Sequence, residues 1–166
     1  MNEAENRPAA DRAESARHAR SNYLLYLAST GIGVGAGIIF EFADIDGVDA
    51  IDSTALMVGG LIGLLSFVLL IIGVVRAYTD RKKADETTAT HFRLQIRTFW
   101  INWLYTAAVS WVVGFLAEFV LPQVAADIVN YIVWLAVVAW FVMRCVKGLR
   151  FLSRQEPYPN PGTWLW

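Results

Sequence analysis

Residues 55–75 read ALMVGGLIGLLSFVLLIIGVV, 21 residues without a charge between Thr54 and Arg76. At about 1.5 Å per residue, a helix of that length reaches about 31 Å, the thickness of a bilayer's hydrocarbon core. Working outward, three further apolar runs appear. They cover Tyr23 to Phe40, Phe99 to Leu121 with only Glu118 near the end, and Ile128 to Met143. Buried core helices are usually shorter, and a chain this small could not bury four of them. The expected fold class is therefore all-α, an integral membrane bundle of four transmembrane helices with spans at about 23–42, 54–76, 98–121 and 126–146. Residues 1–21 form an N-terminal tail, 22–150 the helical domain and 151–166 a Pro/Trp-rich tail. A charged stretch precedes the first run and no small-x-small site ends it, so a cleaved signal peptide is not expected. Glu3, Glu5, Asp11 and Glu14 argue against a mitochondrial transit peptide.

Composition agrees with that reading. The 166 residues are 56% hydrophobic and 17% charged, far from a water-soluble average. A net charge of −1 provides no basic excess for nucleic acid. One cysteine and two histidines are too few for a disulfide framework or a structural zinc site, so no cofactor or metal is expected.

Charge placement orients the spans. All 14 Lys and Arg fall before the first run, between the second and third, or after the fourth. The other two connections hold only acids: Glu41, Asp44, Asp46, Asp49 and Asp52 in one, Glu118 and Asp127 in or beside the other. Random placement outside the spans would put every basic residue on this side only about 2% of the time, so the positive-inside rule sets both termini in the cytoplasm.

Three groups of residues stand out on this scaffold. Gly31/Gly35, Gly33/Gly37 and Gly59/Gly63 are each four apart, so each pair opens a groove on one helix face where another backbone can approach, within one bundle or between two copies in a homo-oligomer. His91, Gln95, Thr98, Asn102 and Tyr105 step by 4, 3, 4 and 3 and share one face of the third helix. That polar stripe must avoid lipid, as a helix-to-helix hydrogen-bond ladder or as a substrate or headgroup site. Arg93 and Arg97 on another face, with Arg144, Lys147 and Arg150 ending the fourth helix and Trp164 in the tail, suit anionic lipid headgroups or a membrane-protein partner. Cys145 beside Arg144 is an inert thiol or an acylation site. The spans carry neither a nucleophile with its base nor a mid-membrane charge, so an enzyme is not expected.

The segment His91-Phe-Arg-Leu-Gln-Ile-Arg-Thr-Phe-Trp100, Trp140, Arg144-Cys-Val-Lys-Gly-Leu149 and Pro157-Tyr-Pro-Asn-Pro-Gly-Thr-Trp164 resembles a group of small bacterial inner-membrane proteins. That group is similar to the chloroplast inner-envelope translocon subunits of the Tic-twenty type. The resemblance covers roughly the second half of the chain. It implies a four-helix integral membrane protein and, by extension from distant relatives, a part in protein translocation. Two function classes follow: a structural or interaction component that binds membrane partners or lipids through a basic cytoplasmic face, or a subunit of a transport complex. On either, the tail 157–166 lies outside the spans, and its loss should leave the bundle folded.

Overall fold

The computed structural model describes residues 9–45 and 53–164, less the side chains at 39–45, 53–56, 109, 110, 114, 117 and 118. Among the described residues all regular structure is helical: α1 Ala9–Ile45, α2 Ser53–Asp80, α3 Glu86–Val120 and α4 Gln123–Ser153. Two helical stretches, Met57–Asp80 and Gln123–Ser153, are long and apolar enough to cross a membrane. The acidic connection at Asp46, Asp49 and Asp52 lies outside the described residues.

Every helix outruns the span expected for it. α1 is 37 residues long, and neither glycine nor proline interrupts 9–30, so the expected boundary at residue 21 corresponds to no break in the backbone. α3 is 35 residues long and starts where Asp85 Oδ2 accepts the Thr88 amide at 3.1 Å, an N-cap strengthened by Glu86 in the first turn. Pro122 separates α3 from α4: its ring fixes φ at −58° with ψ at 148°, and its carbonyl accepts the Ala126 amide at 3.1 Å. At the other end of α4, Gln155 takes φ 57°, while Glu156 N–H bonds Phe151 O at 3.1 Å and Gln155 N–H bonds Leu152 O at 3.0 Å. That pair of bonds is a Schellman closure with glutamine where glycine is usual. Pro157 then prevents further helix.

Pairings across α1 and α2 run His18–Asp80, Asn22–Gly73 and Ser29–Ser66, so these helices are antiparallel. Thr98–Arg144 and Tyr105–Trp140 show the same for α3 and α4. Contacts are densest for α1 with α2 and for α3 with α4, and α1 against α4 and α2 against α3 close the bundle. Helix starts of α1 and α3 and helix ends of α2 and α4 thus share one end, termed the basic end.

Polarity is inverted relative to a soluble bundle. Outward positions are apolar: Met57, Leu61, Leu64 and Phe67 on α2, Trp111, Phe115 and Phe119 on α3, and Val124, Ile128 and Ile132 on α4 are all exposed. Asn22, Ser29, Ser66, Thr88, His91, Gln95, Thr98 and Arg144 are buried. The core sits toward the basic end, where Tyr23, Tyr26, Phe92, Leu94, Phe141 and Cys145 pack together.

Candidate functional site

The buried polar residues form several hydrogen-bonded groups that together tie the four helices, most of them toward the basic end. Gln95 on α3 donates from Nε2 to Ala19 O at 2.8 Å and accepts at Oε1 from Asn22 Nδ2 at 3.4 Å. Asn22 also donates to Gly73 O at 3.2 Å, so one amide pair ties α1, α2 and α3. One to two turns farther along, Ser29 and Ser66 each donate a hydroxyl to the other's backbone carbonyl, at 2.8 and 2.9 Å. Such bonds are worth about 0.5 to 1.5 kcal/mol each net, so they fix which helix faces meet as well as adding stability.

Glycine makes the close approaches, at Gly33 of the expected pair Gly33/Gly37 and at two positions outside the expected pairs. A Cβ at Gly73 would overlap the Tyr26 ring, one at Gly148 would overlap the Tyr23 ring, and one at Gly33 would sit 3.0 Å from Ser66 Oγ. A Cβ at Gly31, Gly35 or Gly63 would meet nothing within 4 Å, and Gly59 is buried. The expected packing role of Gly31, Gly35 and Gly63 is thereby corrected within one chain. Four-residue spacing marks a possible groove but does not indicate which face of the helix meets a neighbour.

Three members of the α3 stripe, His91, Gln95 and Thr98, are buried. Asn102 is half-buried, and Tyr105 lies edge-on to Trp140 at 5.4 Å. His91 Nε2 donates to Glu156 O at 2.9 Å, since a carbonyl can only accept, which leaves Nδ1 to accept the Tyr23 hydroxyl at 3.4 Å. Burial pushes the His91 pKa down, partly offset by the Glu156 carbonyl and the Asp85 charge.

Arg144 departs furthest from expectation. It was expected at anionic headgroups, yet it is 1% exposed and turned into the protein. Its Nε donates to Thr98 Oγ1 at 2.8 Å, one terminal nitrogen donates to Thr163 O at 2.7 Å and the other to Trp164 O at 3.3 Å. The Trp140 ring lies 5.3 Å from the guanidinium carbon. Thr98 can accept because its own hydrogen goes to Leu94 O at 2.7 Å. A planar fork with five donors suits two backbone carbonyls and a hydroxyl set at different angles.

The tail therefore belongs to the bundle, which corrects its expected independence. Tyr158 is buried, its amide donates to Thr90 Oγ1 at 2.9 Å, and its ring meets Phe151 at 5.4 Å and His91 at 6.5 Å. Burial raises the Tyr158 pKa, with Arg144 opposing. Trp164 then passes between two arginines, its carbonyl on Arg144 and its ring 5.5 Å from the Arg97 guanidinium carbon. Arg97 is half-buried there, whereas Arg93, Lys147 and Arg150 are exposed. Cys145 is 1% exposed, out of reach of acylation in this fold.

Sequence reasoning missed Asn22, Tyr23, Tyr26 and Ser29 on α1, although their spacing repeats the rule that exposed the α3 stripe. Gly148 had a signal too. A helix-interior glycine costs about 1 kcal/mol against alanine and so flags a close approach. No cluster of three potential metal ligands occurs among the described residues. Compared with known proteins, the chain matches no protein family, no curated protein and no solved structure.

Proposed function

We propose that this protein is an integral membrane bundle of four spans with both termini cytoplasmic, and that it works by association through its basic end. The observation that carries the reading is the inverted polarity: apolar side chains outside on α2, α3 and α4, hydrogen-bonded polar ones inside. Water would penalise that surface, whereas hydrocarbon requires it. Helices of 28 to 37 residues exceed the roughly 20 needed to cross, so several turns of each project beyond the bilayer. The one-sided placement of every Lys and Arg supports a cytoplasmic position for the turns at the basic end.

Arg93, Lys147 and Arg150 are exposed at that end, on a rigid base made by the tail, Arg144 and His91. A fixed basic surface at headgroup depth is suited to an acidic segment of a membrane partner or to anionic lipid. Photocrosslinkers at Arg93 and Lys147 should each capture a protein from native membranes, while one at Gln123 on the far end should not. Capture from Gln123 alone, or gradient-driven flux by the purified protein in liposomes, would contradict the reading.

A further inference from the structure

A groove of about 570 Å³ runs between the start of α1 and the end of α4. On α1 it is lined by residues at i, i+3, i+4, i+7 and i+11 from Ala13, which is one helical face ending in Arg17, Arg20 and Leu24. On α4 the lining starts at Val146 and continues through Leu149 and Arg150 to Ser153, again one face. Alanines at 13 and 16 keep the α1 wall low, which leaves the groove open.

Because α4 lies against α1 with its C-terminus beside the N-terminal turns of α1, the two walls are graded in the same direction. Arg20 stands one turn above Leu24, and Arg150 one turn above Val146, each step about 6 Å along the helix. Arginines from both walls thus meet at the middle of the groove, with an apolar end below them at Leu24 and Val146. Leu24 is 52% exposed and Val146 36% exposed, so the apolar end opens outward.

Charge in the groove is of one sign. No acidic side chain lines it, and the nearest acids on the same helix, Asp11 and Glu14, line a separate hollow with His18 and Asp80. Among the described residues, the ion pairs of His18 with Glu14 and Asp80 involve none of Arg17, Arg20 and Arg150.

We propose that this α1/α4 groove holds one anionic phospholipid, its phosphate bridged by Arg17, Arg20 and Arg150 and an acyl chain lying along Leu24 and Val146. Guanidinium forks match phosphate oxygens, and a partly desolvated phosphate strengthens each bond. An acidic peptide would satisfy the arginines but leave the outward-facing apolar end unused. The site rests on the membrane reading above: expected spans begin near residue 23 and end near 146, which puts the arginines at headgroup depth and the leucine and valine at the top of the hydrocarbon.

The test is native mass spectrometry of the protein released from nanodiscs made of equal phosphatidylglycerol and phosphatidylcholine. Expected is one retained phosphatidylglycerol, preferred over phosphatidylcholine by at least about tenfold and surviving an excess of inorganic phosphate. Arg17→Gln/Arg20→Gln/Arg150→Gln should abolish the preference, whereas Arg81→Gln/Lys82→Gln/Lys83→Gln, which removes equal charge outside the groove, should keep it. Photoreactive phosphatidylglycerol on the unaltered protein should label 13–24 and 146–155, a result independent of how any variant folds. Equal loss in both triple variants, displacement by phosphate, or labelling confined to other segments would overturn the site. If the chain failed to enter nanodiscs at all, the membrane reading itself would fall.

Discussion

The Arg144 guanidinium donates to the Thr98 hydroxyl at 2.8 Å, joining the end of α4 to the middle of the α3 polar stripe while its terminal nitrogens hold the tail. No acidic side chain pairs with it among the described residues. The cation is held by a hydroxyl, two carbonyls and an indole face. Loss of any of these leaves a buried charge less well solvated, which costs more than an ordinary hydrogen bond is worth.

Thr98→Val keeps the shape and removes the hydroxyl that accepts from Arg144 and donates to Leu94 O. Thermal unfolding in detergent should show it destabilised by about 1 to 3 kcal/mol, with Thr98→Ser near the parent. Arg144→Lys should be destabilised too, because a single ammonium cannot serve three acceptors at fixed angles. A Thr98→Val variant that melts like the parent would mean that the bond contributes nothing.

Removal of 157–166 tests the tail as part of the fold. It exposes Tyr158's site on His91 and Phe151 and deprives Arg144 of both carbonyls. The truncated protein should still insert, since none of these residues belongs to an expected span, but should melt lower and expose the basic end to protease. Unchanged melting would contradict the packing described.

The α3 stripe was legible because its 4-3-4-3 spacing is a property of the helix alone. Which neighbours it meets was not, since that depends on how helices rotate against one another. Arg144 looked like its neighbours Lys147 and Arg150, and linear sequence holds no sign that one of three cations on the same helix turns inward. Pro157, Pro159 and Pro161 forbid helix in the tail but do not announce that the extended chain returns to α3. For the glycines, the spacing Gly31/Gly35 suggested a groove, while the contacts fell to Gly73 and Gly148 opposite tyrosines.

Those glycines give a clean contrast. Gly73→Ala and Gly148→Ala should each destabilise by about 1 to 3 kcal/mol through overlap with Tyr26 and Tyr23. Gly31→Ala and Gly35→Ala should be neutral or stabilising, because alanine is the better helix former and meets open space. Denaturation of the four single variants side by side checks the order, and equal effects would refute it.

His91 should make the basic end sensitive to acid. Its pKa is lowered by burial, so the unfolded chain takes up a proton that the folded one resists. The stability it contributes is complete above the ordinary histidine value of about 6.5 and declines as pH falls below it. Melting temperature should therefore drop between pH 7 and 5, and His91→Gln, which can still donate to Glu156 O, should flatten that part of the profile. A profile unchanged by the substitution would remove His91 as the cause.

The most direct measurement of the central claim is cysteine accessibility in intact cells, in a Cys145→Ser background. Single cysteines replace Ala10, Asp46, Lys82, Gln123 and Ser153, one at the start of α1, one at or beside each of the three connections and one at the end of α4. An impermeant thiol reagent added outside should label Asp46→Cys and Gln123→Cys, and the other three should react only after the membrane is opened. Labelling of Lys82→Cys in intact cells, or protection of Gln123→Cys, would contradict a four-span bundle with its basic end in the cytoplasm.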